Sequence, residues 1–130
     1  MAFVLLAPLL GCGGGSSLDL APVSGTVTYR GKPLDHGSVS FMPTGDTRGP
    51  QAAAEIQADG TFSMKTAGKE GAVVGTHKVI VQCRRAVTPV EAKNLIIGEL
   101  LIPMKYTEFG ITPLSINVKS GKNEYPIELK

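Results

Sequence analysis

The sequence predicts an all-β fold, a seven-stranded Greek-key β-sandwich set behind an N-terminal signal segment, and three observations carry that expectation. From Val23 onward, short apolar alternations recur between Gly, Pro and Asp punctuation. Seven such runs fit between residues 23 and 129, which is the spacing of a small sandwich. Helical periodicity is nearly absent. A chain of 130 residues suits one domain with one core. Its 13 basic and 11 acidic side chains all lie beyond Cys12 and are mixed along the chain, so the net charge of +2 forms no stripe for nucleic acid. The same mixing gives little reason for adsorption to anionic lipid.

The elements follow in order. In residues 23–29, Val23, Gly25, Val27 and Tyr29 share one face of a strand and Ser24, Thr26 and Thr28 the other. Arg30-Gly31-Lys32-Pro33 then turns the chain, because Gly accepts positive φ and Pro33 cannot donate to a ladder. Residues 37–42 form the second strand, ended by Pro43, and residues 51–57 a third with Ala52, Ala54 and Ile56 on one face. Asp59-Gly60 suits a two-residue type I′ hairpin turn into a strand over residues 61–65. Residues 76–83 make the fifth strand and residues 114–119 the sixth, and a Gly-containing turn leads to a last strand over residues 124–129. Pro126 places that last strand at or near a sheet edge. Within residues 86–106, Val90 to Leu101 could hold a short helix, but Gly98 and clustered apolars favour an extended crossover, the long connection that a Greek key needs. Val27, Phe41, Phe62, Val79, Val81, Ile116 and Val118 are expected to face inward.

The first dozen residues carry an address. The uncharged run from Met1 is too short to span a ~30 Å hydrocarbon core as a helix, yet it matches the apolar region of a secretory signal. Leu9-Leu10-Gly11-Cys12 resembles the lipobox of bacterial lipoproteins, in which a small residue precedes the cleaved bond and the next thiol is acylated. That resemblance implies a signal peptide over residues 1–11, lipidation at Cys12, a Gly/Ser-rich flexible tether over residues 12–22 and a membrane partner reached through acyl chains. Gly13 follows the cysteine where enteric bacteria use Asp to retain a lipoprotein at the inner membrane, so delivery to the outer membrane is the expectation. With Cys12 acylated, Cys83 has no internal disulfide partner. It shares the face of Val79 and Val81 and reads as a small buried hydrophobe. A reactive thiol is the alternative, favoured by the adjoining Arg84 and Arg85.

Several short signatures line up beyond the tether: Val23-Ser24-Gly25-Thr26-Val27, Gly31-Lys32-Pro33-Leu34, Gly37-Ser38-Val39-Ser40-Phe41, Asp59-Gly60-Thr61-Phe62 and Gly75-Thr76-His77-Lys78-Val79. In order and spacing they resemble the carboxypeptidase regulatory-like, transthyretin-like (prealbumin-like) β-sandwich domains. The likeness extends to small planctomycete lipoproteins that add an Ile-Pro-x-Lys-Tyr segment, here Ile102-Pro103-Met104-Lys105-Tyr106. Residues 23–130 would form that domain. The resemblance implies a fold and an exported, cell-envelope address, and no reaction.

The residues offer no assembled chemistry. His36 and His77 stand outside any metal spacing, His36 in the turn before the second strand and His77 on the polar face of the fifth. Asp35 could orient His36, but no Ser or Cys is placed by sequence as its nucleophile. Isolated aspartates in turns do not make a calcium loop. Tyr29-Arg30-Gly31 resembles the start of the terminal Tyr-Arg-Gly-Ser motif of the hydroxyisourate hydrolases, but it lies in the first turn and the chain ends Ile127-Glu128-Leu129-Lys130. The expectation is a lipid-anchored module of the cell envelope without catalytic residues, cofactor or metal, in a structural or protein-interaction role. A small-ligand or glycan-binding domain is the alternative, and a hydrolase the third. The glycan reading lacks Trp for stacking. The long connection is the first place to look for a binding surface.

Overall fold

The structure, a computed structural model, describes residues 19–130. The signal segment, Cys12 and the tether up to residue 18 lie outside the described residues. In chain order the elements are β1 (Leu20–Ala21), β2 (Val23–Tyr29), β3 (Lys32–Pro33), β4 (Ser38–Pro43), β5 (Ala52–Glu55), β6 (Thr61–Ser63) and β7 (Lys65–Thr66). There follow β8 (Lys69–Glu70), β9 (Ala72–Val73), β10 (Gly75–Gln82), α1 (Pro89–Lys93), a 3₁₀ turn (Met104–Tyr106), β11 (Ser115–Val118), β12 (Asn123–Glu124) and β13 (Ile127–Leu129). Each expected strand region contains a strand, and short ladders are added between them.

Two sheets pack together as an all-β sandwich. One runs β11-β10-β4-β5-β7-β8, and the other has β2 at its centre. On one side of β2, β12 and β13 pair in parallel with a constant register, Val23 opposite Asn123 and Val27 opposite Ile127. The ladder breaks between them at Pro126, which has no N–H to give, and this strand is indeed an edge. On the other side β6 and β3 pair antiparallel. The inner faces meet in one cluster built around Val27, Phe41, Phe62, Val79, Val81 and Val118. Around Phe62 and Val118 they alternate with exposed neighbours and around Val27 and Phe41 with half-buried ones, the period-two pattern read from the sequence, while Ile80, between Val79 and Val81, is buried as well. Ile116 departs from the pattern: it packs on the core only half-buried, since β11 is the outer strand of its sheet.

The structure corrects four local expectations. Leu20 and Ala21, assigned to the tether, pair with Val73 and Ala72, and Ala21 is buried, so the folded part begins before Val23. The Asp59-Gly60 turn is not type I′. Among the described non-glycine residues only Arg30, Ala67 and Leu95 have positive φ, so Asp59 lacks the backbone that turn requires. Instead Gly60, at φ 87°, closes a three-residue loop between Gln57 and Thr61, and the Asp59 carboxylate accepts from both the amide and the hydroxyl of Thr61. Two-residue turns with positive φ at both centres lie instead at Arg30-Gly31, between paired Tyr29 and Lys32, and at Ala67-Gly68, between paired Thr66 and Lys69. His77, placed on a polar face, is buried beside Phe41, because it has the parity of Val79 and Val81.

The fourth correction concerns residues 86–106, which do not cross over in extended form. Thr88-Pro89-Val90-Glu91 starts α1 with a capping box: Thr88 Oγ1 accepts from the Glu91 amide and Glu91 Oε1 from the Thr88 amide. The helix ends in a Schellman turn, with the Ile96 amide on Glu91 O and the Leu95 amide on Ala92 O. The chain then doubles back so that Arg84 pairs with Leu100. Among the described residues no helix is long and apolar enough to cross a membrane.

Candidate functional site

The connection that leaves the end of β10 is closed on itself. The Arg85 amide donates to Glu99 O and the Leu101 amide to Cys83 O, each at 3.0 Å, while Arg84 Nη1 donates to Gly98 O. A Cβ at Gly98 would lie 1.9 Å from Arg85 O, so the two arms approach this closely only with glycine there. Arg85 bridges the carboxylates of Glu91 (3.1 Å) and Glu99 (2.8 Å). Its guanidinium holds both carboxyls below their usual range, and they in turn push the Arg85 pKa up. Ile102 and Tyr106 bury themselves and pin the returning arm to the core; the Tyr106 hydroxyl accepts from the Lys130 amide.

This ordered segment turns apolar side chains to solvent. Val90, Leu95, Ile97, Met104 and Ile111 are each more than half exposed, Leu95 to 90 %. Leu95 occupies the left-handed position of the Schellman turn at φ 58°, where glycine is usual. A β-carbon there costs roughly 1–2 kcal/mol. The position thus combines backbone strain with an exposed side chain, which is the profile of a residue kept for contact. Asp19 O accepts from the Val74 amide beside the start of β10, whereas the connection leaves its far end. Eight residues of strand put about 25 Å between the two ends.

At the root of the connection the fold brings His36 and Cys83 together. His36 Nε2 is 3.7 Å from Cys83 Sγ, while His77 is six residues back along β10, about 20 Å away. The imidazole of His36 has an acceptor on each nitrogen: Asp35 Oδ1 is 2.6 Å from Nδ1, and the Arg84 carbonyl oxygen 2.6 Å from Nε2. Asp35, His36 and Cys83 therefore follow the layout of an orienting acid, a base and a nucleophile. Their chemistry differs from that layout. Nε2 is engaged by Arg84, Cys83 is buried under the ring, and burial followed by the Asp35 charge pushes its thiol pKa up. As ligands the pair supplies two donors where a structural zinc takes four, and among the described residues no three His, Cys, Asp or Glu gather for a metal. His77 Nε2 is 2.6 Å from Val73 O, and its Nδ1 faces no protein partner.

A concavity of about 970 Å³ opens where the chain switches sheets between β6 and β7. Ser24, Thr26, Thr61 and Ser63 line it with Glu55, Phe62, Tyr125 and Pro126. Tyr125 is half-buried, its ring edge-on to Phe41 and its hydroxyl donating to Ser115 O. The helix, the ion pairs of Arg85 and the meeting of His36 with Cys83 were not expected from the sequence. Of these, only the helix had a local signal, the Thr88-Pro89-Val90-Glu91 capping box.

Fold and site together define an all-β sandwich domain carrying a closed, apolar-tipped connection. A solved structure of a DUF3823 family protein from Parabacteroides merdae ATCC 43184 is similar over 87% of this chain, with 16% identity and a TM-score of 0.49. The chain spans about half, 47%, of that protein's length. No family model matches the chain, and no curated protein matches its sequence.

Proposed function

We propose that the protein is a lipid-anchored β-sandwich module of the cell envelope, of the carboxypeptidase regulatory-like, transthyretin-like kind, that binds a protein partner through the apolar tip of residues 84–111. One observation carries the interaction reading: a segment held rigid by its own hydrogen bonds exposes Leu95 in a strained conformation and keeps other large apolar side chains in solvent. The partner is a protein because of where the tip lies. Asp19, the first described residue, lies beside the start of β10 and the tip leaves its other end; an anchor joined ahead of Asp19 turns the tip away from the bilayer in this reading. The outer membrane is the expected bilayer. In this reading the module works without catalytic residues, cofactor or metal; Cys83, the thiol beside His36, is buried. The concavity beside Tyr125, with Ser and Thr among its lining, supports a small ligand or glycan as the second reading, with the Tyr125 ring packed edge-on to Phe41 rather than offered for stacking.

Two measurements on the exported chain test this. Cys12→Ser is expected to release the protein into soluble fractions and to remove a metabolic palmitate label; a retained label overturns the anchor. A photo-reactive residue at Leu95 is expected to cross-link to a protein, with one at Ser63 as the control. Cross-links from Leu95 to lipid, to a second copy or to nothing overturn the partner.

A further inference from the structure

The turn Asp35-His36-Gly37 lies flat against the end of β10. A Cβ at Gly37 would fall 2.2 Å from Gln82 O and 3.3 Å from Cys83 Cα, so glycine is what brings the His36 ring to the root of the connection. Both nitrogens of that ring have oxygen acceptors at 2.6 Å. A neutral imidazole carries one N–H and an imidazolium two, so this arrangement is the imidazolium's. Nε2 has a second neighbour of opposite character, the Cys83 thiol at 3.7 Å, which is a weak donor. The titratable and charged groups around the ring are Asp35 from its own turn and Cys83 and Arg84 from the end of β10. Arg84 presents its carbonyl, its guanidinium being turned to Gly98 O.

We propose that His36 is a protonation latch on the connection: as imidazolium it holds the Arg84 carbonyl, and as neutral imidazole it releases that carbonyl and accepts from the Cys83 thiol instead. The proton goes to solvent and no covalent bond changes. When one N–H is lost, the remaining one stays on the charged acceptor, the Asp35 carboxylate, because such bonds are about twice as strong as those to a neutral carbonyl. Bare Nε2 then faces an oxygen lone pair at 2.6 Å, which is repulsive, and the protein donor beside it is Cys83. Arg84 stands between the Cys83 carbonyl and the Arg85 amide, whose bonds to Leu101 and Glu99 close the connection, so release of its carbonyl loosens the base of the apolar tip.

The direction of the pH dependence follows from the same contacts. Asp35 first, then the Arg84 carbonyl, raises the His36 pKa above its ordinary 6.5. The latch is therefore fully closed below pH 6.5 and is lost as pH rises through the raised value. At the acid limit His36 holds Asp35 below its ordinary 3.8, so the Asp35 contribution persists until pH falls through that lowered value. Burial keeps Cys83 protonated as the donor across the neutral range.

The latch stands on this geometry alone; its bearing on partner binding rests on the reading of residues 84–111 as the interaction surface. The full chain with Cys12→Ser leaves Cys83 as its sole thiol, and its His36 ring and backbone amides are followed by NMR and hydrogen exchange against pH. His36 is expected to titrate above 6.5. The opening of the Arg85 and Leu101 amides, corrected for intrinsic exchange, is expected to grow by about tenfold for each unit of that excess, while Val79 does not respond. The Cys83 β-carbon shift is expected to move with the same midpoint. His36→Gln, which can donate to the Arg84 carbonyl without titrating, is expected to flatten all three. A His36 midpoint at or below 6.5, or Arg85 and Leu101 amides that ignore pH in the unsubstituted ring, overturns the latch. Failure of the Leu95 cross-link leaves these readings unchanged and removes the partner alone.

Discussion

β10 and the connection that follows it are adjacent in sequence and are ordered by different forces. Along β10, Val79 and Val81 are fully buried, against Phe41 on the neighbouring strand and the facing sheet, and apolar burial at roughly 25 cal/mol per Å² holds them. Past Gln82, Ile102 and Tyr106 anchor the returning arm, but Val90, Leu95, Ile97 and Met104 point outward, and order there comes from backbone pairing at Arg84 and Leu100, a capping box, a Schellman turn and the bridging guanidinium of Arg85. The exposed ion pairs add little energy singly. Their worth is in direction, since they hold Glu91 and Glu99 on either side of one guanidinium and so fix the arms relative to each other. Rigidity and burial are thus separable: a segment can be held in one shape while its hydrophobic surface stays available.

The comparison can be broken at either end. The largest effect is expected in the core, where Phe62→Ala removes a buried ring and should lower stability by about 3–5 kcal/mol, seen as a reduced denaturant midpoint. An unchanged midpoint would mean that the sandwich is not held by this face. Gly98→Ala should cost less, about 1–3 kcal/mol, because the added carbon meets the Arg85 carbonyl. Its signature is local: faster exchange at Arg85 and Leu101 with β10 amides still protected. Loss of protection throughout would show that connection and core unfold as one. Leu95→Gly should act in the opposite direction, raising stability by about 0.5–1 kcal/mol by removing a β-carbon from a left-handed position. A destabilised Leu95→Gly would mean that this side chain packs on its own domain, and the contrast between the two regions would fail there.

Strand positions were legible because a strand's pattern is local. Alternation in residues 23–29 and 76–83 specifies which side chains share a face, and Pro126 announces an edge through its missing N–H. The same parity rule put His77 inward with Val79; treating histidine as a surface residue was the error, since one hydrogen bond to Val73 O and a neighbouring Phe41 ring suffice to seat it in the core. The helix was written in Thr88-Pro89-Val90-Glu91, a capping signal that clustered apolar residues and Gly98 obscured.

Sequence by itself determined the alternation that makes this chain a sandwich, the turn residues that divide its strands and the cap that starts its helix, because each depends on residues within a few positions of one another. Tertiary structure alone decided that His36 meets Cys83 and Arg84, 47 and 48 residues further on, and that Leu95 is exposed while Ile102 is buried. Those outcomes depend on how β4 pairs with β10 and on where the closed connection comes to rest, and neither quantity has a local periodicity from which it could be read.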